Sequence, residues 1–423
     1  MNIEIKKLIR QIYLIIAIIA VALLLLFWFF SRSFASVKVT PNTAKVIIDE
    51  ATVRTTASGM AKKVTSPGLH QVRVEASGYV GVSKEISFGR GLMKTVTIEL
   101  KKLPDPLLIG AGAAQLAKGA GFNDGYYLAD GGSTIYKMKV GLDESGNVKL
   151  NDNHAITEAR FSNIDEIVWS PTKELALLRK TSGEITLFDF MKYDFVHQTE
   201  NAWGRDIGSV AWAPDNSKIA YYYAPAGGEK SLIFANLTNT EMTRVADFKS
   251  LGIENPILRW SPDSSSLLVI PRNSDPAQNK IYLFSIYSRT LKAVNESGNQ
   301  ADAMFSPDNN RILYATHSQD PASPVLRFLS IMKSDGTEQR SLDIRAELEK
   351  VAWNKDSRII VVATYDSVTT QESIFSFDTE KKEKTGFSIK DLGNIFINSL
   401  IVSDDGNIIT YETKDGIYAL KVE

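Results

Sequence analysis

The side chains best suited by type to do chemistry are Glu166, Arg259, Asp302 and Lys350, which stand at related places in a run of short repeats. Arg259 immediately precedes a tryptophan, at a position filled elsewhere by Val168, Ala211, Met304, Ala352 and Ile401. A guanidinium thus replaces an apolar side chain on what the pattern makes an innermost strand, and a charge there must be paired or face water. Glu166, Ser209, Asp302, Lys350 and Ser399 stand where the corresponding strands begin. If the repeats close into a ring, Glu166, Arg259, Asp302 and Lys350 line the mouth of its central channel and contact a polar ligand or peptide. The competing expectation is that Arg259 is held by Asp302 or Glu166 as a structural ion pair.

Other chemistries find few residues to use. The chain has no cysteine, which excludes disulfides, thiolate nucleophiles, Cys-ligated zinc and a lipid-bearing cysteine. His70, His154, His197 and His317 are widely separated and match no metal-site spacing, so each reads as an isolated surface or loop histidine. No GxSxG elbow occurs. Gly110-Ala111-Gly112 and Gly119-Ala120-Gly121 lack the spacing of a nucleotide loop and read as a flexible domain connection. Asp143-Glu144-Ser145-Gly146-Asn147 and Asp404-Asp405-Gly406-Asn407 have no EF-hand spacing and read as turns. No metal, cofactor or convergent acid/base set is therefore expected.

The elements that would position these residues announce themselves by repetition. Six segments of the 423-residue chain align: IVWSPTKELALL from Ile167, VAWAPDNSKIAYY from Val210, LRWSPDSSSLLVI from Leu258, AMFSPDNNRILYA from Ala303, VAWNKDSRIIVVA from Val351 and LIVSDDGNIITYE from Leu400. Their starts lie 43, 48, 45, 48 and 49 residues apart, the length of four short antiparallel strands with their turns. In five of them an aromatic (Trp169, Trp212, Trp260, Phe305, Trp353) follows an apolar residue by two positions, so both face one side of a strand and fill the space between sheets. Third strands are expected at residues 185–188, 231–234, 281–284, 326–329 and 373–376. These motifs resemble the WD-like repeats of TolB-type propellers, which implies a β-propeller over residues 103–423. Residues 125–140 read as strands of a degenerate first blade, and the last repeat lacks an outer strand that residues 107–113 would supply. Seven blades are favoured, with six as the alternative.

Ahead of the repeats, residues 36–101 switch to period-two alternation, with Val37, Val39, Val46, Ile48, Val72, Val74, Val96 and Ile98 on one face of short strands. Pro41, Ala44, Val46-Ile47-Ile48-Asp49, Pro67-Gly68-Leu69-His70, Val72-Arg73-Val74 and Gly78-Tyr79 resemble the PEGA domain family, which implies a non-catalytic β-sandwich. The glycine of that family's first turn is replaced by Glu50.

Ile12 to Phe30 is an uninterrupted apolar run of nineteen residues, about 28 Å as a helix, and is expected to cross a bilayer. Lys6, Lys7 and Arg10 precede it, so residues 1–11 form a cytoplasmic tail and the bulk of the chain is extracytoplasmic, at a cell membrane crossed once. Charge is uneven: residues 36–102 carry a net +6 and the repeats −10, which argues against nucleic acid as a partner. Fold class is thus all-β with one N-terminal transmembrane helix, a small PEGA-like β-sandwich and a β-propeller. The expected function is a membrane-anchored binding or scaffold protein that presents its propeller to a protein or cell-envelope glycan, not an enzyme. The alternative is a propeller enzyme, a lyase or hydrolase with its site in the channel.

Overall fold

The computed structural model describes residues 10, 13–23, 31–76, 78–91, 93–102, 105–112, 115–116, 124–129, 133–157, 161, 164–180, 188–295, 298–317, 327–366, 371–388 and 396–422. The chain divides into two compact units, one of residues 1–103 with 383–391 and the other of residues 104–382 with 392–423.

Within the first unit, residues 13–23 are helical and every one of them is exposed. Among the described residues no helix is long and apolar enough to cross a membrane. The rest of the expected span, residue 12 and residues 24–30, lies outside the described residues.

The sandwich is built from β1 (Ser33–Thr40), β2 (Lys45–Ile48), β3 (Ala51–Val53), β4 (Met60–Thr65), β5 (Gly68–Glu75), β6 (Val80–Phe88) and β7 (Met93–Glu99). β1 lies between β4, which is antiparallel to it, and β7, which is parallel. The facing sheet has the order β6-β5-β2-β3. Alternation decides which side chains go inside: along β5, His70, Val72 and Val74 are buried while Leu69, Gln71 and Arg73 are exposed. Val72 and Val74 join Val37, Val39, Val46, Ile48, Phe88 and Ile98 in one core. The strand Glu383–Ser388, from far along the chain, extends the sheet through Gly386 opposite Gly81 and Phe387 opposite Val80.

The departure at Glu50 falls on a strained position. Ile48 pairs with Ala51, so Asp49 and Glu50 form a two-residue hairpin turn, and both have positive φ, 49° and 64°. That geometry favours Asp-Gly. Asp49 holds the turn: its carboxylate lies 2.5 Å from His70 Nδ1 and accepts from the Gln71 amide at 3.2 Å. The hydrogen bond with His70 lowers the Asp49 pKa, burial opposes it, and the Gln71 amide lowers it further. His70 is 7% exposed, so it is not a surface histidine as the sequence suggested; strand alternation turns it inward, and its Nε2 lies 2.8 Å from the Ser66 carbonyl. Replacing Glu50 by glycine removes the left-handed strain and is predicted to stabilise the unit by about 1 kcal/mol, read as a higher denaturation midpoint at unchanged slope.

The second unit is a succession of antiparallel four-strand sets. Gln115–Leu116, Asp124–Ala129, Thr134–Leu142 and Val148–Ala155 make one sheet. The next sheet runs from Ile164–Trp169 through Leu175–Lys180 and Phe188–Asp194 into Thr199–Trp212, then through Ile219–Tyr223 and Ser231–Ala235 to Met242–Asp247. Its fourteen-residue middle strand ends one set and begins another. Sheets starting at Ile257, Gln300, Val351 and Ile397 follow. The last, Ile397–Val402, Ile408–Thr413 and Gly416–Lys421, is completed by β8 (Leu107–Ala111) from the start of the unit. Such a series of four-strand sets, with its last sheet closed by an early strand, is a β-propeller. Two expected third strands are described only in part, as strand at Phe188 and from Phe328 onward, while residues 185–187 and 326 lie outside the described residues.

Gly110 and Ala111 are therefore strand rather than flexible connection; residues 119–121 lie outside the described residues. A Cβ on Gly110 would meet the Tyr127 ring at 2.9 Å, so close packing is what requires glycine there.

The motif aromatics pack against the sheet before their own. Trp169 lies 4.4 Å from the Tyr126 ring, and Trp260 Nε1 donates to the Ala211 carbonyl at 2.9 Å. Each repeat turn places one residue at positive φ: Lys173, Asn216, Ser264, Asn309, Ser357 and Gly406. Two of these turns are tied to the preceding turn, as Asp215 N donates to Ser264 Oγ at 3.0 Å and Asp308 N to Ser357 Oγ at 2.8 Å.

Candidate functional site

The first strands of the sheets bring the charged residues into place. The first strand of one sheet lies beside that of the next, as with Thr199–Trp212 and Ile257–Trp260, and Val351–Trp353 and Ile397–Val402. Four of them break register just before the residue in question: between Ile164 and Glu166, Ile207 and Ser209, Gln300 and Asp302, and Ile397 and Ser399. Bulges of this kind re-aim a side chain. Here they recur at the same step of successive sheets, a regularity that simple alternation does not reveal.

Arg259 and Asp302 meet across two sheets. Arg259 Nε donates to Asp302 Oδ1 at 3.2 Å and Nη2 to Oδ2 at 2.6 Å, a two-point fork. Asp302 is fully buried, and its Oδ1 also accepts from the Ala303 amide at 2.8 Å. About a third of the Arg259 side chain remains open to water, at 34%. Burial disfavours the guanidinium charge, but Asp302 outweighs it, with Glu349 and Glu166 adding to the effect, so the pKa of Arg259 is raised. Arg259 is thus a permanent cation, unsuited to exchange protons.

The other two candidates have partners of their own. Glu166 bonds Arg179, directly opposite on the neighbouring strand, at 3.2 Å. Lys350 lies 3.6 Å from Glu347 within the same short helical turn. Ser399 donates to Glu412 at 3.0 Å, and the same buried carboxylate accepts from the Leu116 amide at 2.8 Å, tying the last sheet to the first. The structure therefore joins Arg259 with Asp302, while Glu166 pairs within its own sheet and Lys350 within its short helical turn. Among the described residues no three acidic or histidine side chains gather as metal ligands would.

Sequence reasoning missed a group of cations, Arg272, His317 and Arg327 in loops between second and third strands and Arg345 at the end of a fourth strand. His317 and Arg327 extend by one step the register that pairs Thr316 with Phe328. Arg345 lies opposite Phe328 and places its guanidinium 4.6 Å from the ring centroid. The pKa of His317 is lowered first by burial and then by the positive charges of Arg327 and Arg272. Arg327 Nε is buried with no hydrogen-bond partner, and among the described residues none of Arg272, His317, Arg327 and Arg345 has a carboxylate partner. Their repeats are out of step in these loops, so no alignment of the sequence brings them together.

Residues 34–104 match the model of the PEGA domain family. No curated protein matches the chain. Among solved structures the chain is similar to an oligogalacturonate lyase in complex with manganese, at 14% identity and a TM-score of 0.47, over 74% of this chain and 98% of that one. It is also similar to TolB from Acinetobacter baumannii, at 11% identity and a TM-score of 0.42, over 77% and 78% of the two chains. A third is oligogalacturonate lyase from Vibrio parahaemolyticus, at 12% identity and a TM-score of 0.48, over 75% and 92%.

Two predictions follow from these environments. Arg259→Ala leaves a buried carboxylate unpaired and should cost about 3 kcal/mol, whereas Arg259→Met with Asp302→Leu should recover most of that loss in denaturation midpoints. His317, held neutral when folded, takes up a proton more readily when unfolded, so it should cost stability as pH falls below about 6.5 through its own lowered pKa. Melting temperature against pH should be flatter there in His317→Gln.

Proposed function

We propose that this chain is a membrane-anchored, extracytoplasmic binding or scaffold protein whose propeller presents its loops to a protein or cell-envelope glycan. The observation that carries the reading is the cation cluster. Arg272 and Arg327 lie near a neutral His317, with Arg345 over the ring of the adjacent Phe328, in a region of net charge −10, and the buried Arg327 Nε has no partner. A carboxylate or phosphate on the partner would supply the missing acceptor and face several cations at once. Charge pairing among the first-strand residues supports binding over the alternative lyase or hydrolase: Arg259 is committed to Asp302, Glu166 to Arg179 and Lys350 to Glu347. In this reading Glu166, Arg259, Asp302 and Lys350 line the mouth of the central channel as a neutralised set.

The remaining parts of the reading have their own support. A seven-blade count accords with the shared strand Thr199–Trp212 and the completion of the last sheet by β8. An anchor at residues 12–30 accords with a helical stretch, residues 13–23, that exposes apolar side chains all round, because such a helix calls for apolar surroundings. Residues 1–11 then face the cytoplasm, and the sandwich of residues 36–101 and the propeller of residues 103–423 stand outside.

Crosslinking the intact protein in its native envelope tests this. The expected result is a dominant protein or glycan adduct that is lost when Arg272→Glu and Arg327→Glu are combined, with melting unchanged. An identical adduct pattern from wild type and the double variant, or no macromolecular adduct, overturns the reading.

A further inference from the structure

The exposed apolar side chains of the sandwich share one end. Beyond the N-terminal helix, the large apolar residues standing exposed among the described residues of this unit are Val64, Leu69 and Met93, at 43%, 70% and 60%. Val64 and Met93 both lie opposite Phe34, one on each side, forming a row across the three-stranded sheet at the start of β1. Leu69 is at the start of β5, just past the turn that leaves β4. Arg32 and Arg90 are at this end too, brought together by the bond from the Gly91 amide to the Arg32 carbonyl at 2.7 Å, and Lys94 follows Met93. Glu75 and Glu99 close the opposite ends of β5 and β7.

Chain length says what this end can reach. Ser33, where β1 begins, is three residues beyond Phe30, the last residue of the apolar run, so the two are at most about 11 Å apart. The headgroup layer on each side of a bilayer is about 5–8 Å thick. An end so tethered to a spanning segment lies in that layer or within a few ångströms of it.

We propose that this end of the sandwich is a bilayer-docking surface, with Val64, Leu69 and Met93 entering the interface and Arg32, Arg90 and Lys94 meeting the phosphates of anionic lipid. This rests on the anchor reading above. Docking there holds the module upright on the membrane instead of leaving it to swing on its tether.

Because the chain has no cysteine, Leu69→Cys, Met93→Cys and the fully exposed reference Tyr287→Cys can each carry a single environment-sensitive fluorophore. The full chain is reconstituted in phosphatidylcholine vesicles with and without phosphatidylglycerol. Docking gives blue-shifted emission, quenched by headgroup spin labels, at positions 69 and 93 but not 287. The shift is larger with phosphatidylglycerol, and Arg90→Glu with Lys94→Glu removes that excess. Labels at 69 and 93 that report water, on a chain that stays with the vesicles through an alkaline carbonate wash, overturn docking and leave the anchor standing. A chain that washes off overturns both.

Discussion

Packing between the sheets of the second unit depends on the aromatic that ends the first strand in five of its repeats, Trp169, Trp212, Trp260, Phe305 and Trp353. A four-strand sheet is too small to bury a core alone, and it becomes stable only when its face is filled by a neighbour. Trp169 against Tyr126 and Trp260 bonded to the Ala211 carbonyl show how that filling is done: a flat ring is inserted between sheets and, for Trp260, its polar atom is satisfied by the older strand. The turns reinforce the same contact, with Ser264 and Ser357 each accepting from the turn before.

Once the sheets are set in this way, the first strands of successive sheets come near one another, and side chains from different steps of the repeat meet. The Arg259 and Asp302 fork follows from this, because the two residues are 43 positions apart yet stand on the first strands of successive sheets. The recurrent bulges determine where those side chains aim. The resulting ion pairs neutralise the charges that sequence reasoning nominated for ligand contact. The cations left without carboxylates gather instead where loops from different repeats converge.

How much of this was legible in the sequence varied with the range of the cause. Repeat period, aromatic position and turn chemistry are local, so six copies stood out without any structure. Arg259 was legible as a charge in need of a partner, with Asp302 as one of two choices; the structure selected it. The basic cluster was not legible, since Arg272, His317 and Arg327 occupy loops that do not align between repeats. Nor was the inward turn of His70, whose burial depends on strand phase and on the Asp49 turn. The strand at residues 383–388 carried no sign of its place in the first unit, because strand addition relies on backbone hydrogen bonds that any side chains allow.

By itself the sequence determined the all-β character of both units, the β8 closure and the uneven charge, because each follows from periodicity or composition that acts on near neighbours. Tertiary structure alone decided which charges cancel, which cations stay unmatched and which end of the sandwich shows its apolar side chains. Those outcomes depend on distances between residues far apart in the chain, and a distance of that kind exists only once the sheets have packed.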